Sequence, residues 1–129
     1  MIAFPFELPT EDSLIELECR LNGQKITLAL DTGASHTTID LSFLIVAGVD
    51  PADSMGTVDL ETAKGPVEAQ LFQVKSLSIL GITMHNFTVC AYDFLSQSVL
   101  SAIDGVVGLD FFRDRDLSIS FRQFEITVV

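Results

Sequence analysis

Cations are scarce in this chain of 129 residues: seven Lys and Arg stand against eighteen Asp and Glu, for a formal net charge of −11. A field of that sign repels phosphate backbones, which sets nucleic acid aside as a partner. Cysteine is scarcer still. Cys19 and Cys90 lie far apart in apolar or alternating segments, and so placed they make neither a metal-ligand spacing nor a dense disulfide framework. They read as reduced thiols of a cytosolic protein, with a single bridge between them left open. The two His are scattered as well, so a zinc site has little support and no metal or other cofactor is expected. No glycine-rich loop runs into Lys-Ser or Lys-Thr, which sets phosphate-binding loops aside. No window is apolar for long enough to cross a bilayer, and residues 1–7 carry no basic region ahead of a hydrophobic core. Neither a membrane span nor an export signal is expected, and the expectation is a cytoplasmic protein.

Apolar residues are plentiful. They make up 48 % of the chain, ten Phe among them, which is enough to bury a core in one domain spanning residues 1–129. Residues 1–9 are apolar but punctuated by Pro5 and Pro9, which suits an edge strand or arm. Residues 14–21 alternate, with Ile15, Leu17, Cys19 and Leu21 on one face and Glu16, Glu18 and Arg20 on the other. Asn22-Gly23 then signals a tight hairpin, because both positions accept positive φ, and residues 25–30 form the returning strand. Asp40 can cap a short helix over residues 41–47, closed by Gly48 and stopped by Pro51. A second hairpin follows, residues 57–63 and 67–74 flanking turn chemistry at Lys64, Gly65 and Pro66. Residues 77–80, a turn near Gly81, and residues 86–92 continue the strand pattern, as do residues 117–121 and 124–129 at the end.

Two stretches carry chemistry. In residues 28–39, three apolar residues deliver the backbone to Asp31, and Thr32 and Gly33 turn it sharply. A carboxylate at the end of such a strand is costly unless partnered. The plainer reading of a lone Asp-Thr-Gly is an Asp in a turn, bonding nearby backbone amides. In residues 103–115, Gly105 and Gly108 bracket Val106 and Val107, which reads as a buried strand passing close beneath another backbone. Residues 109–113 follow as one or two turns of helix.

Taken together, and in this order, these parts resemble the retropepsin-like aspartic proteases, the family of the retroviral proteases and their cellular relatives. The resemblance covers nearly the whole chain and implies an all-β, retropepsin-like closed β-barrel of the acid protease fold, with one or two short helices, acting as a homodimer. It implies that Asp31, Thr32 and Gly33 are catalytic and that Ala34, Ser35, Ala63, Lys64, Gly65 and Val107 bind a peptide or protein substrate. Two aspartates of facing Asp-Thr-Gly loops share one proton in such enzymes, since like charges so close do not both ionise. This chain has one such triplet. Asp104 precedes Gly-Val without a hydroxyl and Asp110 falls in the helix, so the second aspartate is expected from Asp31 of a second copy across a two-fold axis. The resemblance also implies that the two chain ends pair across that dimer.

The pattern departs from the viral enzymes in places. Ser35 and His36 stand where those carry acidic residues, and Leu109 stands where they carry arginine, which removes an intersubunit ion pair. His36 and His85 are read as solvated neighbours of turns. The function expected is an aspartic endopeptidase; the alternative is a peptide-binding or scaffold module of the same fold with little turnover.

Overall fold

The computed structural model describes residues 2–62, 65–93 and 103–129. After β1 (Ala3–Pro5), alternation shapes β2 (Glu16–Leu21), whose Leu17, Cys19 and Leu21 are buried while Glu16, Glu18 and Arg20 are exposed. Asn22 at φ +50° and Gly23 at φ +85° turn the chain into β3 (Gln24–Leu30), the left-handed pair that a tight hairpin requires. The Asn22 side chain accepts from the amides of Lys75 at 2.9 Å and Ser76 at 3.1 Å, which ties this turn to a later strand.

A short strand that alternation does not announce, β4 (Thr38–Asp40), leads into α1 (Leu41–Val46). Asp40 caps the helix by accepting from the Ser42 amide at 3.0 Å and from the Ser42 hydroxyl, and Gly48, at φ +96°, follows its end. After a 3-10 helix at Pro51–Asp53 come β5 (Thr57–Thr62), β6 (Gly65–Ile79) and β7 (Ile82–Tyr92). The last two form one long hairpin turned at Leu80 and Gly81, so His85 lies exposed in a strand and not in a turn region. Then come β8 (Gly105–Val107), a 3-10 helix at Leu109–Phe112, β9 (Leu117–Ser120) and β10 (Glu125–Val128).

The sheet order β2-β3-β8-β4-β7-β6, with β6 returning to pair β2, closes a six-stranded barrel. The far half of β6 continues past β7 as a two-stranded projection with β5. Leu21, Leu28, Ile39, Leu44, Phe72, Leu77, Val107, Phe111 and Ile126 fill the core with almost no exposure. The chain ends form a separate sheet in the order β1-β10-β9. Both ends therefore pair within one chain, and β10, which reads from the sequence as a bare last strand, is flanked on both sides.

Candidate active site

The site is built on a crossing. β8 runs parallel to β3, pairing Ala29 with Val106 and Leu30 with Val107, and antiparallel to β4, pairing Thr38 with Val106. Residues 31–37, which connect β3 to β4, must therefore pass over the end of the strand lying between them. Only a residue without a side chain fits beneath: a Cβ on Gly108 would stand 2.7 Å from the Ala34 carbonyl oxygen and 2.8 Å from the His36 carbonyl carbon. Gly105 is as tightly placed, a Cβ there falling 2.2 Å from the Thr38 carbonyl oxygen. The close backbone approach inferred from the two glycines is thus present at both ends of β8.

Hydrogen bonds lock the crossing. The Asp31 amide donates to the Val107 carbonyl at 3.0 Å, the Leu109 amide to the Ala34 carbonyl at 2.8 Å, and the Ala34 amide to the Asp31 carbonyl at 3.1 Å. Thr37, fully buried, donates its amide to both Asp110 oxygens at 2.9 Å and its hydroxyl to Oδ1 at 2.7 Å. The same hydroxyl accepts the Gly108 amide at 3.2 Å. Asp104 is committed in a similar way, accepting the Thr27 amide at 2.8 Å.

Asp31 differs. It is exposed in the single chain, where the strand leading into it suggests an interior position, and among the described residues its Oδ1 accepts the Gly33 amide alone, at 2.9 Å. A Cβ on Gly33 would press on that oxygen at 3.2 Å. Thr32 is also exposed, and among the described residues its hydroxyl makes no hydrogen bond. Ser35, exposed, bonds through Oγ to Nδ1 of its neighbour His36 at 2.7 Å.

The crossing gathers Asp31, Thr32, Gly33, Ala34 and Ser35 on the end of β8. Val107 is there too, but its side chain is fully buried and it meets the loop through its carbonyl. Gly65 stands apart at the start of β6, paired with Thr62 of β5. Ala63 and Lys64 lie outside the described residues. The part Thr37 and Asp110 play in holding the loop escapes a reading of the sequence, which weighs Asp110 only as a second aspartate; the trace it leaves is one acid between apolar residues, Leu109 on one side and Phe111 and Phe112 on the other.

Both thiols are free and buried. Burial pushes Cys19 up from 9.0 to about 12. Burial, with the Asp110 charge added, pushes Cys90 up to about 11. Neither is a nucleophile at neutral pH.

Set against known proteins, residues 17–111 match the sequence profile of a family described as Aspartyl protease. The chain belongs to that family. The structure is similar to a retropepsin-like aspartic protease from Rickettsia conorii, with a TM-score of 0.71 and 19 % identity over 98 % of this chain and 99 % of that one. It is also similar to the EIAV protease solved with the inhibitor HBY-793, with a TM-score of 0.63 and 14 % identity over 84 % of this chain and 93 % of the other. The fold is thus the retropepsin-like β-barrel. Among curated sequences, an uncharacterized protein in the cobV 5′ region of a Sinorhizobium species is 33 % identical over 87 residues. That match takes in 66 % of this chain but only 37 % of the relative, so the chain spans little more than a third of that protein's length. No helix among the described residues is long and apolar enough to cross a membrane.

Proposed function

We propose that this chain is an aspartic endopeptidase that works as a homodimer, hydrolysing peptide bonds with a water held between the Asp31 carboxylates of two copies. The observation that carries the reading is the contrast among acids around the crossing. Asp104 and Asp110 are taken up by backbone amides of their own chain, whereas Asp31 is exposed and, among the described residues, holds one amide. A second carboxylate for Asp31 then has to come from a second copy.

The chemistry follows from placing two like charges together. One proton is shared, so one carboxylate takes a proton from the water while the other, protonated, polarises the scissile carbonyl. The water oxygen bonds to the carbonyl carbon, the tetrahedral intermediate passes a proton to the leaving amine, and the C–N bond breaks without a covalent enzyme intermediate. Thr32, whose hydroxyl makes no hydrogen bond among the described residues, is suited to bond the facing loop. Gly33 keeps the approach to the carboxylates open, and its amide holds Asp31 Oδ1 in orientation. An extended peptide would lie as an added strand between this loop and the β5–β6 projection, in reach of Ala34, Ser35 and Gly65, with Val107 setting the depth of the loop. Two free thiols with no bridge fit a reducing, cytoplasmic setting.

Digestion of a peptide library from pH 3 to 7, with Asp31→Asn as control, tests the assignment. Cleavage by the unaltered protein that disappears in the variant supports it; cleavage that persists in the variant overturns it. Peptide binding without cleavage by either protein would instead favour the scaffold module.

A further inference from the structure

β2 is paired along the whole of one side and along half of the other. On the β3 side its register runs from Glu16 opposite Ala29 to Leu21 opposite Gln24. On the β6 side only Cys19, Arg20 and Leu21 have strand partners, in Ile79, Ser78 and Leu77. The Ile15 carbonyl accepts the Leu30 amide at 2.8 Å, so by alternation the N–H and C=O of Glu16 point away from β3. Neither group has a hydrogen-bond partner among the described residues. The same register sets Leu14 opposite Asp31, so the open half of the strand begins level with the candidate site.

Beside this open half lies a groove of about 420 Å³, lined by Pro5, Phe6, Pro9 and Leu14 together with Glu7 and Glu16. Its walls are held in place. The Phe6 amide donates to the Phe124 carbonyl at 3.0 Å, which keeps the N-terminal arm beside β10, and the Phe6 ring packs against Phe121 and Phe124 with centroids 6.0 and 5.7 Å away. Between the arm and β2, residues 10–13 form a tight turn. There the Ser13 amide donates to the Thr10 carbonyl at 3.2 Å, and the Thr10 amide to Ser13 Oγ at 3.0 Å.

The chemistry of the groove selects an occupant. Unpaired strand edges invite another strand. A second copy of this chain pairing here about a two-fold axis would bring two Glu16 together, and like charges opposed across a ladder are unfavourable. Glu7 and Glu16 are exposed, and among the described residues neither has a cation within ion-pair distance. Leu14 is 48 % exposed and offers an apolar surface on the same face of the strand as Glu16.

We propose that this groove is an exosite for a basic, extended stretch of the substrate polypeptide, added to β2 as a strand with a Lys or Arg opposite Glu16 and an apolar side chain, two residues away, on Leu14. Backbone pairing with Glu16 supplies affinity and the alternate side chains supply selection. Glu7, on the arm, offers a second carboxylate to the same stretch. That the occupant is a substrate rests on the endopeptidase reading; that the groove binds such a strand does not.

A fluorescein-labelled octapeptide of alternating Lys and Val is the probe, read by anisotropy. Glu16→Lys should weaken its binding about tenfold, and Glu16→Gln, which keeps the shape, about threefold. Asp53→Lys, an equal change in net charge outside the groove, should change it by less than about twofold. Of the two alternately N-methylated forms of the octapeptide only one should bind, since a strand adds through a single row of its amides. In digests of the peptide library, Glu16→Lys should raise KM for peptides with a Lys or Arg away from the cut bond and leave kcat unchanged. Equal weakening by Glu16→Lys and Asp53→Lys means that the acidic field alone attracts the probe, and it overturns the proposal. So does no binding of the octapeptide, or equal binding of both methylated forms. Cleavage whose KM is indifferent to Glu16→Lys overturns the exosite and leaves the endopeptidase standing; binding through Glu16 by a protein that cleaves nothing leaves the groove standing and overturns the endopeptidase.

Discussion

Asp31 and Asp110 lie on opposite sides of one crossing and have opposite surroundings. Among the described residues, Asp110 receives three hydrogen bonds from Thr37; Asp31 receives one, from Gly33, and is exposed. Asp110 spends its acceptor capacity fixing where the loop lies, and Asp31 keeps most of its own uncommitted among the described residues. Two carboxylates from distant parts of the chain thus share one crossing and are told apart by how many donors each already has.

The sharpest way to break the comparison is to exchange what the two acids are for. Asp31→Asn keeps an acceptor for the Gly33 amide and removes the charge, so peptide cleavage should fall by roughly 10³-fold, while the urea midpoint reports a stability change under about 0.5 kcal/mol. A comparable loss of stability would make Asp31 another structural acid.

Gly108→Ala attacks the crossing itself. The added Cβ would stand 2.7 Å from the Ala34 carbonyl oxygen, with backbone on every side of it. Overpacking of that kind should cost about 3 kcal/mol by urea denaturation, and cleavage should fall with it because the Asp31 loop is lifted. The same substitution at Gly33 meets a movable carboxylate at 3.2 Å; its stability cost should stay below about 1 kcal/mol, with the loss appearing in kcat.

Asp110→Ala should destabilise by about 2 kcal/mol, since the buried Thr37 amide is left without an acceptor and its hydroxyl must turn elsewhere. Asp110→Asn, which retains one acceptor oxygen, should recover part of that. Equal losses for the two variants would mean the contact is worth its charge and not its geometry.

What the sequence discloses, and what it withholds, follows the range of the interactions. Asn22-Gly23, the Asp40 cap and the paired glycines around Val106 and Val107 are local signals, each demanded by a backbone geometry that few residues allow, and each is found in place. The Thr37–Asp110 clasp joins residues 73 apart, and nothing near either residue announces the other. β4 is three residues long, too short for alternation to declare it. That β10 pairs with β1 and β9 of its own chain is a long-range choice that composition does not decide. Asp31 is exposed in the single chain, and a strand that reads as running inward does not say where its last residue ends up.

A thiol lies beneath the loop. The Cys90 amide donates to the Thr37 carbonyl at 2.9 Å, so this thiol sits on the inner side of the clasp. Its pKa is raised from 9.0 to about 11 by burial first and the Asp110 charge second, and burial raises Cys19 to about 12. A raised pKa means that the folded chain keeps a proton the unfolded chain has lost. Stability is therefore indifferent to these thiols below pH 9, then falls as pH rises, by about 1.4 kcal/mol per pH unit for each thiol. Both contribute up to about pH 11, and Cys19 alone from there to about 12. Urea midpoints between pH 9 and 10.5 should show this slope, and Cys90→Ala should remove about half of it. In the folded protein both thiols should resist a thiol reagent at pH 8. Asp110→Ala should speed the reaction of Cys90 and leave that of Cys19 unchanged, because only the clasp side opens; equal acceleration at both thiols would mean that the barrel opens as one unit and the clasp is not a separate element of stability.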